Sequence, residues 1–398
     1  MTGLNQKPPA DKKFRICFVS LNAYPYLIGQ YKKFAGGAER QQVLLAKELA
    51  RRGHQISFIV SDHGQADIMM IGNILVYKHS LPQVLDILTS IKLRWFCLWI
   101  NFLKTLAKPN ADIYYQRTAS YTTGTIAFFC FLKRKKFIYS IAHNFDVNGT
   151  AIHDSYIIDV SDSIRRFLKK FYIMGLRLAD CVIAQNNEQQ ILLQKNYGKK
   201  SVLIKSLYDK QENDKQENIQ ENPVISEILW VSSIQIWKKP EVFLELAKKI
   251  PCVQFRMIGG PSVDKHYYKN IEVMADRIPN LEFTGFIPPD QIQKFYQKAI
   301  AFVNTSDFEG FPNTFLEAWS NAVPVISLNV DPEEIICKNN LGFHSKTFDQ
   351  LVLDVKRLLK DPELRAALGK NGRIYVEKEH SLESIALQYE NVFKNLMT

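Results

Sequence analysis

The sequence predicts an α/β protein built of two doubly wound units, each a parallel sheet with helices on both faces, facing one another across a cleft. Three observations carry that expectation. Apolar, β-branched runs of strand length alternate with helical patterns along most of the 398 residues. The strands read as continuous apolar runs, the pattern of a sheet covered on both sides. The alternation is interrupted once, by a polar repeat near residue 209, and the length suits two domains at roughly 100–200 residues each.

In the first unit the strands are expected at Phe14–Ser20, Gln55–Ser61, Ile74–His79, Asp112–Arg117, Lys136–His143 and Cys181–Gln185. Helical patterns fall between them. In Ala38–Arg52, Leu45/Leu49 and Ala46/Ala50 sit at i,i+4, and a second pattern covers Ser163–Leu178. The segment DKQENDKQENIQEN, residues 209–222, repeats five residues in tandem and offers only Ile219 as an apolar side chain. It buries too little to offset its ordering entropy, so an exposed linker is expected there. The pattern then restarts with strands at Ile228–Ser233, Gln254–Gly259, Asn280–Phe286, Ile300–Ser306 and Val323–Leu328, and helices at Glu241–Ile250 and Gln291–Lys298. The expected organisation is a first domain over 1–207, a linker over 208–226 and a second domain over 227–398. The last helix, near Leu382–Met397, follows a polar stretch, and its pattern leaves open whether it packs back on the first domain.

Composition removes several classes. Apolar residues make up 46% and charged residues 23%, which excludes global disorder. The longest apolar run, Ile126–Leu132, is seven residues, whereas a membrane-spanning helix needs ~20. Met1–Lys13 is polar and lacks the apolar region of a secretory signal, so a cytoplasmic protein is expected. The six cysteines, Cys17, Cys97, Cys130, Cys181, Cys252 and Cys337, form no C-x-x-C pair and read mostly as small packing residues.

The charge is divided unevenly. Residues 1–205 carry 29 Lys+Arg against 13 Asp+Glu, hence +16, and residues 206–398 carry 22 against 27, hence −5, which together give the net +11. So basic a half suggests an anionic partner: nucleic acid, a membrane face or a phosphorylated acceptor. Within residues 90–108, Ile91, Trp95, Leu98, Trp99, Phe102, Leu103 and Leu106 recur at helical spacing, with Arg94, Asn101, Lys104, Thr105 and Lys108 opposite. That pattern fits an interfacial helix in the headgroup layer and equally an ordinary helix laying its stripe on a sheet.

Two doubly wound units generally bind ligands at the carboxyl ends of their strands, and the loops there are informative. After the first strand the chain runs to Gly36-Gly37-Ala38-Glu39-Arg40 at a helix start, where backbone amides can approach an anion. No G-x-G-x-x-G is present, so this is not the dinucleotide fingerprint. In NTSDFEGFPNTFLEAWSNAVPVISL, residues 304–328, Glu309 and Glu317 stand eight positions apart around Gly310, Phe311 and Pro312. Asn313 or Thr314 is suited to cap the following helix, which would put Glu317 in its first turn. Carboxylates there can accept from sugar hydroxyls, and the helix amides suit phosphate oxygens. In the same half, Ser232-Ser233 ends a strand, and Lys238-Lys239-Pro240 opens a helix as a second anion site.

At these residues the sequence resembles the retaining glycosyltransferases of family 4, or group 1, whose two Rossmann-like domains make up the GT-B architecture. The resemblance is specific over residues 227–345: the E-x7-E block Glu309–Glu317, LEAWSNAVPVIS after it, Trp230 to Lys238, Met257-Ile258-Gly259-Gly260, Phe283-Thr284-Gly285-Phe286, and Asp331-Pro332 to Gly342. The first half matches through Gly36-Gly37 and its strand–helix rhythm. What the resemblance implies is a second domain that binds a nucleotide-diphosphate sugar and a first domain that binds the acceptor. Glu317 would hold the ribose and Glu309 the donor sugar. Lys238 and the amides from Gly310 to Asn313, Pro312 itself having no N–H to give, would face the diphosphate, with Lys239, Pro312, Thr314, Gly259 and Ser233 beside the donor and Phe286 near the base. Gly36-Gly37 would close over the diphosphate, and His143 would touch the donor sugar, with Asn144 and Asp146 as alternative contacts. Many members carry Arg where this chain has Ser233, so Lys239 or a first-domain cation has to compensate.

The implied activity is a metal-independent, retaining hexosyltransferase that extends a glycan or polyprenyl-linked acceptor in surface polysaccharide synthesis. No cofactor is expected, nor a nucleic-acid partner; the basic half would meet an anionic inner membrane face. Two other readings fit parts of the pattern: a nucleotide-sugar epimerase of similar shape, which would need no acceptor, and a non-catalytic protein that binds an anionic membrane or nucleic acid through the +16 half. The contiguous Glu309–Glu317 block speaks against the latter, since an anionic polymer has no use for it.

Overall fold

The central strands of the first half are buried on both faces. Along Arg15–Val19, Ile16 and Phe18 enter one core, while Cys17 and Val19 enter another on the opposite side. A strand sandwiched in this way is what a continuous apolar run encodes. The computed structural model describes residues 12–30, 36–81, 91–148, 162–209, 227–262 and 264–398. Within them, β1 (Arg15–Val19), β2 (Gln55–Ser61), β3 (Ile68–Ile71), β4 (Ile74–His79), β5 (Ile113–Arg117), β6 (Lys136–Ser140), β7 (Cys181–Ala184) and β8 (Val202–Leu203) form one sheet of order β3-β4-β2-β1-β5-β6-β7-β8. All neighbours are parallel except β3 against β4.

The second sheet is wholly parallel, with β9 (Glu227–Val231), β10 (Gln254–Ile258), β11 (Leu281–Gly285), β12 (Ala299–Asn304), β13 (Val325–Ser327) and β14 (Gly342–His344) in the order β11-β10-β9-β12-β13-β14. Ile228 and Trp230 pack with Phe243 and Leu244 of helix Pro240–Lys249 on one face. Leu229 and Val231 pack with Phe315 and Trp319 of helix Asn313–Ser320 on the other. The architecture is therefore α/β, with two Rossmann-like parallel sheets.

Several expected elements differ in their limits. Strands expected to reach His143, Gln185, Ser233, Gly259, Phe286 and Ser306 end two to three residues earlier or one residue earlier, where the chain leaves the ladder for the loops of the cleft. Helix Gln291–Lys298 is instead a 3-10 turn, Pro289–Gln291, followed by the short helix Gln293–Tyr296. The polar repeat, residues 209–222, lies outside the described residues except for Asp209, as do residues 1–11 of the polar N-terminus.

The amphipathic stretch forms helix Ile91–Ala107. Phe102 and Leu106 are buried in the first domain's core, and Trp99 lies against Phe128 with ring centroids 5.6 Å apart. The C-terminal part of its apolar stripe thus faces the core, and Thr105, expected on the polar side, is buried and donates to the Asn101 carbonyl. Leu93 and Phe96, one and two turns from the start, remain exposed. Among the described residues, no helix is long and apolar enough to cross a membrane.

The chain crosses between the two sheets twice, side by side. Tyr208 pairs with Ser381 and donates its amide to the His380 carbonyl at 2.8 Å, while Lys205 meets Glu379 at 2.7 Å. After the second crossing, helix Leu382–Leu396 lays Ile385, Tyr389 and Phe393 into the core of the first sheet. Glu390 locks it there through Arg52 at 2.8 Å and His54 at 2.9 Å.

Candidate functional site

The site forms where the carboxyl ends of β9 and β12 meet loops of the first domain. After β9, the 3-10 turn Ile236–Lys238 closes on Lys239, whose φ of +49° breaks the turn and starts helix Pro240–Lys249. Lys238 is fixed from its backbone: the Thr305 hydroxyl donates to its carbonyl at 2.7 Å, and the Asp307 amide donates to the Trp237 carbonyl at 2.8 Å. So fixed, the Lys238 ammonium donates to Glu309 Oε1, which also accepts from the Ser306 hydroxyl at 2.9 Å. Both side chains of this pair are only 15% and 11% exposed.

Glu317 is the second anchored carboxylate. It takes the Arg40 guanidinium on Oε1, and Oε2 accepts from the Tyr296 hydroxyl at 3.0 Å. Burial and the nearby carboxylate push that hydroxyl well above its ordinary pKa, which keeps it a donor. Helix Asn313–Ser320 begins after Pro312, which provides no side-chain cap, so Glu317 stands in the second turn. The expected capping by Asn313 or Thr314 is therefore corrected. Asn313 instead reaches across the cleft, donating to the Gly37 carbonyl and accepting from Gln41 Nε2, both at 3.2 Å.

The first domain contributes two tight contacts. A Cβ on Gly37 would lie 2.5 Å from Asn313 Nδ2, and a Cβ on Gly310 would lie 2.8 Å from the Ala142 carbonyl and 3.2 Å from His143 Cα. The Gly310 approach is backbone to backbone and favours glycine, whereas at Gly37 the neighbour is the end of a side chain that can shift; the N-termini of helices Gly37–Arg51 and Asn313–Ser320 thus meet through Asn313, and the Glu309–Gly310 loop lies on the loop of His143. Asn186 Nδ2 adds a bond to the Gly310 carbonyl at 3.3 Å. Beside Gly36, burial raises the pKa of Glu39 against the hydrogen bonds of its own amide and of Asn22 and the field of Arg117.

His143 ends the loop after β6. Its Nδ1 accepts from the Phe145 amide at 3.2 Å, which leaves the proton of a neutral ring on Nε2. The ring stacks on Phe145 at 4.6 Å and meets the edge of Phe308, two residues before Gly310, at 6.0 Å. Asp146 holds the loop by accepting from the amides of Ala142 and His143 at 2.8 and 3.2 Å, and burial raises its pKa nonetheless.

The structure thus brings Gly37, His143, Lys238, Glu309, Gly310, Asn313 and Glu317 to one cleft, with Gly36, Pro312 and Thr314 next to them in the chain. It leaves others aside. Lys239 turns to Asp307 at 3.4 Å on an exposed edge. Phe311 places its ring 5.0 Å from His380 at the crossing. Gly259 is packed on the Ser232 carbonyl, Ser233 Oγ accepts from Gln235 at 2.8 Å, and Phe286 is half-buried after β11. Asn144 bonds Glu188 and Gln189 within the first domain. Arg40, Tyr296 and Ser306 are site residues that the sequence reading did not assign. Arg40 adjoins the Gly36-Gly37 signal; the other two give no sign until the fold aligns them.

Comparison with known proteins bears on the family and the fold. Residues 35–209 match the family described as Glycosyltransferase Family 4, and residues 209–375 match Glycosyl transferases group 1. Glycosyltransferase 1 domain-containing protein 1 of Xenopus tropicalis is 31% identical over 39% of this chain and 45% of its own length. The capsular polysaccharide biosynthesis glycosyltransferase CapM of Staphylococcus aureus is 30% identical over 36% of this chain and 37% of its own. The chain thus spans less than half the length of either relative. Among solved structures, Anabaena Alr3699/HepE in complex with UDP-glucose is similar in fold, with a TM-score of 0.69 at 16% identity over 96% of this chain and all of that one.

Proposed function

We propose that the chain, whose halves match the models of Glycosyltransferase Family 4 and Glycosyl transferases group 1, moves a sugar from a nucleotide-diphosphate donor to a glycan or lipid-linked acceptor. The observation that carries this reading is the placement of Lys238, Glu309, Glu317 and two abutting helix N-termini in one cleft. In it, the second domain holds the donor and the first domain the acceptor.

Departure of the diphosphate develops negative charge. Lys238 and the amides of Gly310, Phe311, Asn313 and Thr314 stabilise it, and fixed donors in a water-poor site are the strongest means of doing so. Glu309 faces the sugar, where positive charge develops on the ring, and the neutral His143 offers its Nε2 proton to a sugar hydroxyl. Glu317 accepts from the ribose, and Gly36-Gly37 closes over the diphosphate. Transfer proceeds with retention and without a metal. The products of CapM and the UDP-glucose bound to HepE make a surface polysaccharide and a UDP-sugar the first choices to test.

The basic first half suits a cytoplasmic protein that works at an anionic membrane face, where lipid-linked acceptors reside. A thermal-shift panel of UDP-, GDP- and ADP-sugars, followed by a transfer assay with the stabilising donor, tests the proposal. A donor bound only by the folded state must raise its melting temperature. Isomerisation of that donor without transfer would favour an epimerase instead.

A further inference from the structure

Arg40 and Glu317 come from different domains, 277 positions apart, yet each side chain is about one-sixth exposed and they form an ion pair inside the cleft. Beside the pair lies a cavity of about 10 Å³, lined by Pro289, Ile292, Gln293, Tyr296 and Asn321. That volume is at the limit for a single water. No nucleoside enters while Arg40 rests on Glu317, so a ligand that takes up this carboxylate through its ribose must move the guanidinium.

The displaced cation needs an anion. Removing one member of a desolvated ion pair leaves a costly uncompensated charge unless another partner is supplied. Arg40 sits in the first turn of helix Gly37–Arg51, whose N-terminus abuts that of helix Asn313–Ser320 through Gly37 and Asn313. Both helices direct their positive ends to this junction. The cations of the second domain do not meet the demand alone. Ser233 is neutral, Lys239 is engaged by Asp307 on an exposed edge, and Lys238 is shared with Glu309.

We infer that Arg40 exchanges partners, leaving Glu317 to the donor's ribose and moving to the diphosphate, so that this first-domain residue supplies the cation missing at Ser233. The exchange makes donor binding and the docking of the two domains one event. A planar, always-charged guanidinium suits both partners, since carboxylate and phosphate are each recognised in a bidentate manner. This inference rests on the donor reading given above.

The test compares uridine, guanosine and adenosine with UDP, GDP and ADP by isothermal titration on the full chain. If no diphosphate binds the wild type, the donor reading itself fails. If one binds, Arg40→Ala is expected to weaken that diphosphate at least tenfold while leaving the matching nucleoside unchanged or tighter, and Arg40→Lys to restore part of the loss. Arg40→Gln serves the same comparison if the alanine variant does not fold. Equal losses for diphosphate and nucleoside would reduce Arg40 to a structural tie between the domains. A diphosphate affinity within twofold of wild type, or improved, would make it a simple plug over Glu317. Either result overturns the exchange.

Discussion

The Lys238 ammonium rests on the Glu309 carboxylate, 71 positions further along the chain, and the Ser306 hydroxyl donates to the same oxygen. The pair joins the loops after β9 and β12 and is largely shielded from water. In the proposed transfer, each partner fixes the other where charge would develop in opposite senses, on the departing diphosphate and on the sugar ring.

Lys238→Ala and Glu309→Ala should therefore each lower kcat at least about a hundredfold, in line with the ~3–4 kcal/mol that one preorganised charge contact supplies. Turnover of the donor identified by thermal shift, read beside the melting temperature of each variant, checks this. Near-wild-type rates in both variants would remove the pair from the site.

Gly310→Ala tests the docking of the domains. Its Cβ would meet the Ala142 carbonyl at 2.8 Å, backbone against backbone, so the domains must separate slightly. A fall in kcat/KM of at least about tenfold is expected, as misplacement of about an ångström costs orders of magnitude in rate. Circular dichroism should show both domains folded. Unchanged kinetics would mean that the described closure is not needed for reaction.

Stability should fall between pH 6.5 and 4 because of the crossing between domains. His380 is fully buried, with Nδ1 at 2.6 Å from the Ser206 carbonyl, and burial takes its pKa down to about 4. In that window the unfolded chain binds a proton that the folded one refuses, so stability present above pH 6.5 is lost as pH falls, by roughly 2 kcal/mol at pH 5. Glu390 acts lower: against a burial that would raise it, Arg52 and His54 hold it down to about 2, so its contribution is lost only below its ordinary pKa near 4.5. Denaturant melts at pH 7 and 5 should show His380→Phe without this loss; an equal loss in wild type and variant would assign it elsewhere.

The basic half should bind anionic bilayers. Phe131, Leu132 and Phe167 are exposed on helices Thr123–Lys133 and Asp162–Leu178, beside the exposed Lys133, Arg134, Arg166 and Lys170. Co-sedimentation with phosphatidylglycerol vesicles is expected at low salt and release at high salt, as electrostatic attachment is screened. No binding at low salt would count against a membrane role.

The layering was legible in the sequence because strands such as Cys181–Ala184 are buried on every residue, and a strand covered on both faces reads as an apolar run. Three strands escaped notice. Val202–Leu203 and Gly342–His344 are too short to show a period, and Ile68–Ile71 pairs at the sheet edge with half its residues exposed. Within the site, Glu309, Glu317 and Lys238 were legible because they lie in one contiguous block or at one helix start. Arg40 on Glu317, and Asn313 on Gly37, depend on how two separately folded domains meet, which local spacing does not encode. The same limit explains Asn313: as a cap it answers only to its own helix, and the structure spends it across the cleft.

The most direct test of the account is a crystal structure with the nucleotide-diphosphate sugar that raises the melting temperature most. The account predicts the diphosphate between Lys238 and the amides of Gly310–Asn313, covered by Gly36-Gly37, with the ribose on Glu317. Nucleotide bound away from this interdomain cleft would contradict it.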